Sequence, residues 1–110
     1  MLRLCKRHEY EAVFAHGRVV SSRLYVVRVK PNNLSRARLG LIAGKKALPR
    51  AVDRNRGKRL VREVFRQAHQ DLMAMDIVVQ LRADLARRNN ATARRDLLDL
   101  FAELDRRQAG

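Results

Sequence analysis

Asn55, Arg59, Arg62 and Arg66 follow one another at offsets of four, seven and eleven from the first. At about 100° per residue these offsets return to one side of an α-helix. A line of guanidinium groups is chemistry for phosphate, because each planar fork stays charged and grips two oxygens at once. Arg54, Arg56 and Lys58 extend the ridge toward the start of the segment RNRGKRLVRE, residues 54–63. A merely hydrated charged face is the commoner fate of such a run, but it mixes signs so that i,i+4 pairs form. Here Glu63 is the only acid between Arg54 and Arg66. Cations at a helix start also oppose the helix dipole, at roughly 0.3–1 kcal/mol for those nearest the end. Asp53, read as the N-cap, offsets only part of this. Such local conflict marks a binding site, where a bound phosphate neutralises what the free protein does not.

The elements that position this ridge follow from periodicity. Residues from Lys6 to His16 place Tyr10, Val13 and Phe14 at helical spacing, and Gly17 ends the helix. RVVSSRLYVVRVKP predicts a short strand and then a longer one near Leu24 to Lys30, stopped by Pro31. ARLGLIAGKK predicts a third strand, with Leu39, Leu41 and Ala43 on one side and Arg38, Gly40 and Ile42 on the other. Pro49 keeps KKALPRA a loop. A long helix then runs from about Val52 to Leu72 and buries Val61, Val64, Phe65, Ala68 and Leu72. DIVVQL is a fourth strand, and a last helix from about Thr92 buries Leu97, Leu98, Phe101 and Leu104.

The order α-β-β-β-α-β-α is an α+β class: a two-layer sandwich with a four-stranded sheet, one domain over residues 1–110. The connection through the long helix is a crossover, right-handed by default. Arg28 and Lys30 share one strand face, Arg38 lies on one face of the next, and Gln80 and Arg82 on one face of the last. If these faces coincide, the sheet has an apolar side and a cationic side. Tyr10 and Phe14, neighbours on the first helix, would stand at its rim, where aromatics beside a basic groove stack single-stranded RNA bases. The same spacing also fits a buried aromatic pair.

Composition agrees with a polyanion partner: 25 Lys and Arg against 11 Asp and Glu leave a net charge of +14. With 5% aromatic residues the core is thin. No apolar run of about 18 residues and no signal-peptide pattern is present, which predicts a soluble intracellular protein without a membrane partner. Cys5 has no partner for an internal disulfide, and His8, His16 and His69 lack zinc-ligand spacing with it. The acids are scattered, so a stand-alone metal-dependent nuclease is disfavoured and no catalytic residue is assigned. An RNA-binding module of the ribosomal-protein kind fits the charge pattern equally well.

GKKALPRAVDRNRGKRLVREVFR resembles the protein subunit of bacterial ribonuclease P, through Lys45, Lys46, Arg54, Asn55, Arg56, Lys58, Arg59, Leu60, Arg62 and Phe65. YEAVFAHG, RLGLIAGKK and MDIVV extend the likeness over roughly residues 8–82. The resemblance implies a bacterial, cytoplasmic accessory subunit of a tRNA-processing endoribonuclease. In that enzyme an RNA subunit removes the 5′ leader of precursor tRNA with Mg²⁺, and no organic cofactor or obligate protein partner is implied. It also implies a left-handed crossover, as in the second domain of a small-subunit ribosomal protein, so the default hand yields. Carried over by position, Lys45, Lys46, Arg54, Asn55, Arg56, Lys58, Arg59 and Arg62, with Arg66 on the same face, contact the catalytic RNA. Tyr10 and Phe14 match leader-cleft aromatics, joined by Arg28 and Lys30. Three departures stand out: Gly57 replaces a bulky aliphatic, Arg28 stands where some members have an aromatic, and ALPRAVD lacks the usual Gly-Asn.

Overall fold

A computed structural model of the 110-residue chain describes residues 2–4, 6–32, 34, 36–68 and 74–109. The elements are β1 (Leu2–Arg3), α1 (Arg7–His16), β2 (Arg18–Ser21), β3 (Tyr25–Pro31), β4 (Arg38–Ile42), α2 (Ala51–Ala68), β5 (Met75–Leu81), a 3-10 helix (Ala83–Arg87) and α3 (Asn90–Ala109). They form one mixed sheet in the order β1-β4-β5-β3-β2. β3 is antiparallel to β2 and β5, whereas β4 runs parallel to β5 and β1. The parallel pairing makes the β4–α2–β5 connection the expected crossover. Among the described residues no helix is long and apolar enough to cross a membrane.

Alternation in β3 sends Tyr25, Val27 and Val29 to one face and leaves Val26, Arg28 and Lys30 half-buried on the other. On the first face Val27, Val29, Leu39, Ile77, Val79 and Leu81 pack against Val61, Val64 and Phe65 of α2 and Leu97, Leu100, Phe101 and Leu104 of α3. The second face is only partly covered. There α1 sets Val13 against Val78 and Leu4, flanked by Tyr10 and Ile42. β5, covered on both sides, is accordingly buried along most of its length.

The α+β class and the order of the long elements are as expected, with several differences of detail. The sheet has a fifth strand, β1, whose two residues pair with Arg38 and Leu39 and are too few to carry a periodic pattern. α1 lies on the opposite face from α2 and α3, so part of the second face is apolar rather than cationic throughout. Helix α2 starts at Ala51, and the Arg50 carbonyl accepts from the N–H groups of Asp53 and Arg54. Asp53 therefore sits inside the first turn, 3.9 Å from the Arg50 guanidinium, and is not the N-cap. Leu72 lies outside the described residues. Helix α3 starts two residues early because Asn89 Oδ1 accepts from the Thr92 N–H at 2.8 Å. Leu98 is 39% exposed, and Leu100 takes its expected place in the core.

Candidate nucleic-acid interface

Burial of Gly57, Leu60, Val61, Val64 and Phe65 fixes which side of α2 faces away from the sheet. That side carries the ridge. Asn55, Lys58, Arg59, Arg62, Glu63 and Arg66 line one open groove of about 460 Å³ along it. Lys58 and Arg62 also line a second depression, with Arg3, Leu4 and Tyr10, where α2 comes over the edge formed by β1 and β4. Among the described residues, no ion pair involves Lys58, Arg59 or Arg62. Their charge is uncompensated, on a chain already carrying +14.

The two arginines nearest the helix start behave differently. Arg54 Nη1 donates to the carbonyls of Leu48 and Pro49, at 2.7 and 2.9 Å, and so folds back on the loop before α2. Arg56 reaches the other way, donating to the carbonyls of Leu85 and Arg88 and to Asn90 Oδ1 at 2.6–2.9 Å. It clamps the 3-10 helix and the start of α3. Because α2 begins at Ala51, Arg56 lies beyond the first turn and Arg54 at its end, which eases the dipole conflict expected for them. Lys45 and Lys46 are exposed on the turn before α2, which buried Leu48 anchors through a 3.0 Å bond from its N–H to the Gly44 carbonyl.

A second surface lies beside α1, on the part of the sheet that helix leaves open. Register places Arg28 opposite Val78 of β5 and Val19 of β2, and Gln80 opposite Val26. Arg28 Nη1 donates to Gln80 Oε1 at 3.2 Å, and its guanidinium carbon stands 4.6 Å from the Phe14 ring centroid. Phe14 is 46% exposed. Lys30 is half-buried on the same face, with its ammonium 3.4 Å from the Pro31 carbonyl.

Tyr10 has a different role from Phe14. Its ring covers Gly40 so closely that a Cβ there would stand 2.7–2.9 Å from ring and hydroxyl atoms. The hydroxyl donates to the Leu4 carbonyl at 3.2 Å. Tyr10 thus fastens α1 to β4, and of the aromatic pair it is Phe14 that offers an open π-face.

Arg38 shares this face of the sheet but adds nothing to its free charge. Nε and Nη2 donate to the two carboxylate oxygens of Asp76 at 2.8 and 2.7 Å, and Nη1 pairs with Glu9 of α1. Asn32 Nδ2 gives Asp76 a further bond of 2.9 Å. The bidentate bond to Asp76 holds the guanidinium above even its ordinary high pKa, against the opposing effect of burial. Arg82, placed on the cationic face from sequence, lies past the end of β5 and donates to the Ser22 carbonyl at 2.8 Å. Asp76, the one buried acid among the described residues, went unassigned in the sequence. Its signal was available only through register, which sets Arg38 directly opposite it.

Among the described residues no cluster of three or more His, Cys, Asp or Glu could hold a metal ion, and the carboxylates of Glu9 and Asp76 are turned onto Arg38. Chemically, the groove along α2 offers guanidinium and ammonium donors, and Phe14 offers an exposed ring beside a guanidinium.

The family model for ribonuclease P matches residues 1–105. The ribonuclease P protein component of Azoarcus sp. is 40% identical over 102 residues, covering 93% of this chain and 85% of that protein. That of Chromobacterium violaceum is 42% identical over 107 residues, covering 97% and 88%. Among solved structures, the Staphylococcus aureus RNase P protein superimposes with a TM-score of 0.88 at 28% identity, covering 94% of this chain and 95% of that one. The Thermotoga maritima protein gives 0.80 at 32% identity, covering 92% and 96%.

Proposed function

The chain belongs to the bacterial ribonuclease P protein family, and from that premise we propose that it binds the catalytic RNA through α2 and the 5′ leader of precursor tRNA through the open face beside α1. As the protein component of an endoribonuclease that matures tRNA 5′ ends, it has an RNA partner and works inside a ribonucleoprotein. The observation that carries the reading is the bare ridge: among the described residues Lys58, Arg59 and Arg62 have no carboxylate partner, while Arg7, Arg38, Arg88 and Arg94 are paired. Holding cations together without counter-charges is unfavourable in the free protein and favourable once phosphates arrive and release their own counterions.

Asn55 and Arg66 line the same groove as this ridge, and with Lys45 and Lys46, exposed on the turn before α2, they extend the phosphate-binding track. Arg54 and Arg56 shape it by fixing the loop before α2 and the start of α3. On the other surface, Phe14 with Arg28 above it forms a stacking site for an unpaired leader base, and Lys30 supplies charge for the leader backbone. Tyr10 acts by holding α1 in place. Mg²⁺ for cleavage is assigned to the RNA, and no step is routed through this chain.

Two measurements test this. The ribozyme assayed at low Mg²⁺ should be activated by adding the chain. The assembled holoenzyme should bind precursor tRNA with its leader more tightly than tRNA lacking one, at matched Mg²⁺ and salt. Equal affinity for the two substrates contradicts the leader role, and co-purification with ribosomal RNA instead of the catalytic RNA contradicts the whole assignment.

A further inference from the structure

A separate groove of about 340 Å³ runs between α2 and the start of α3. Leu60 is among its lining residues, with Asn55, Arg56 and Arg59 contributed by α2 and Asn90 and Arg94 by α3. Asn55, Arg59 and Glu63 line both this groove and the one along the ridge, so the two are continuous. Arg56 holds the Asn90 carboxamide by its oxygen at 2.8 Å, which leaves that side chain's N–H₂ as donor.

Glu63 is the only acid among the described residues that line either groove. Its Oε2 accepts from Arg94 Nη2 at 3.3 Å, long for a charge-assisted bond, with the two side chains 47% and 41% exposed. An exposed pair of this kind is worth little. A phosphate diester presents the same two-oxygen geometry to a guanidinium and brings released counterions with it, so it can displace Glu63 from Arg94.

We propose that the α2–α3 groove is a second phosphate-binding surface for the catalytic RNA, in which Arg94 leaves Glu63 and joins Arg59 on a backbone phosphate. The inference rests on the RNA-binding reading of the ridge and extends the RNA footprint from α2 onto α3. Continuity of the two grooves selects the occupant: RNA lying along the ridge at Arg59 is already at the mouth of the second groove.

The test is the salt dependence of binding between the full-length chain and the catalytic RNA. Arg94→Ala should lower the log–log slope by about one unit, and Arg94→Lys should retain it. Glu63→Gln should raise affinity severalfold, and Arg94→Ala in that background should still remove the same unit of slope. Arg7→Ala, which removes an exposed and paired arginine on α1, is the control for general charge. An Arg94→Ala slope equal to wild type, or a change no larger than that of Arg7→Ala, overturns the proposal, provided melting shows both variants folded. Arg62→Ala separates the premises: a normal loss for Arg62→Ala with none for Arg94→Ala removes only the second surface, whereas no loss for either removes the ridge as well. A slope change seen with precursor tRNA but not with the catalytic RNA also overturns it, since the occupant is then a different RNA.

Discussion

Arg38 on β4 and Arg62 on α2 are both half-buried arginines, and their surroundings give them opposite uses. Arg38 is enclosed by Asp76, Glu9 and, through Asp76, Asn32, so its charge is spent inside the molecule. Arg62 lies between two open depressions and makes no ion pair among the described residues. The residue type is the same and so is the depth. What separates these two arginines is therefore the charge placed around each.

That contrast breaks if the Arg38 network proves dispensable. Asp76→Asn leaves a half-buried guanidinium with Glu9 alone, and the expected cost is about 2–3 kcal/mol, discounted from the figure for a fully buried pair because Arg38 retains some solvent. Urea unfolding measures it. Arg62→Ala in the same assay should change stability by less than about 0.5 kcal/mol, so equal losses for the two variants would remove the distinction.

The other face of the sheet sharpens the same point with a neutral group. Tyr25 is fully buried, and its hydroxyl donates to the Ala93 carbonyl at 3.0 Å, joining β3 to α3. Burial, reinforced by nearby Asp96, pushes its pKa above the ordinary value. A raised pKa on an acid means the folded state favours the protonated form. Its contribution is complete below the unfolded pKa of about 10 and is lost as pH climbs above it. Tyr25→Phe should cost about 1 kcal/mol at neutral pH. The gap between wild type and variant should shrink above pH ~10, as followed by unfolding across that range; a constant gap contradicts the assignment.

A comparable effect concerns where α2 meets β5. A Cβ on Gly57 would stand 2.7 Å from a Leu81 methyl and 2.9 Å from a Leu85 methyl, so leucine side chains fill the space that a larger residue at this position would need. Gly57→Leu should cost up to about 2 kcal/mol net, an overpacking cost of roughly 1–3 kcal/mol less a helix-propensity gain of about 1 kcal/mol. Adding Leu85→Ala should recover about half of the loss, a non-additive result that thermal melts can read.

How much of this was legible in the sequence follows from the range of each interaction. The ridge was readable because its offsets are local and α2 is long and periodic, and the same holds for the β3 alternation. Asp76 was not, since its partner lies 38 positions away and only strand register opposes them. The clamp formed by Arg56 was hidden for the same reason, its acceptors being carbonyls from residues 85 and 88, which no side-chain pattern encodes. Tyr10 and Phe14 share one helical spacing, and only the close approach of Gly40 to Tyr10 and of Arg28 to Phe14 sets their surroundings apart. β1 is two residues long, below the length at which alternation exists.

The most direct test of the central claim is the salt dependence of catalytic-RNA binding by a Lys58→Ala, Arg59→Ala and Arg62→Ala triple variant. The account predicts a log–log slope lower by roughly two to three units, with a melting temperature close to that of wild type. An unchanged slope in a folded triple variant would mean that this face of α2 meets only water, and would contradict the account.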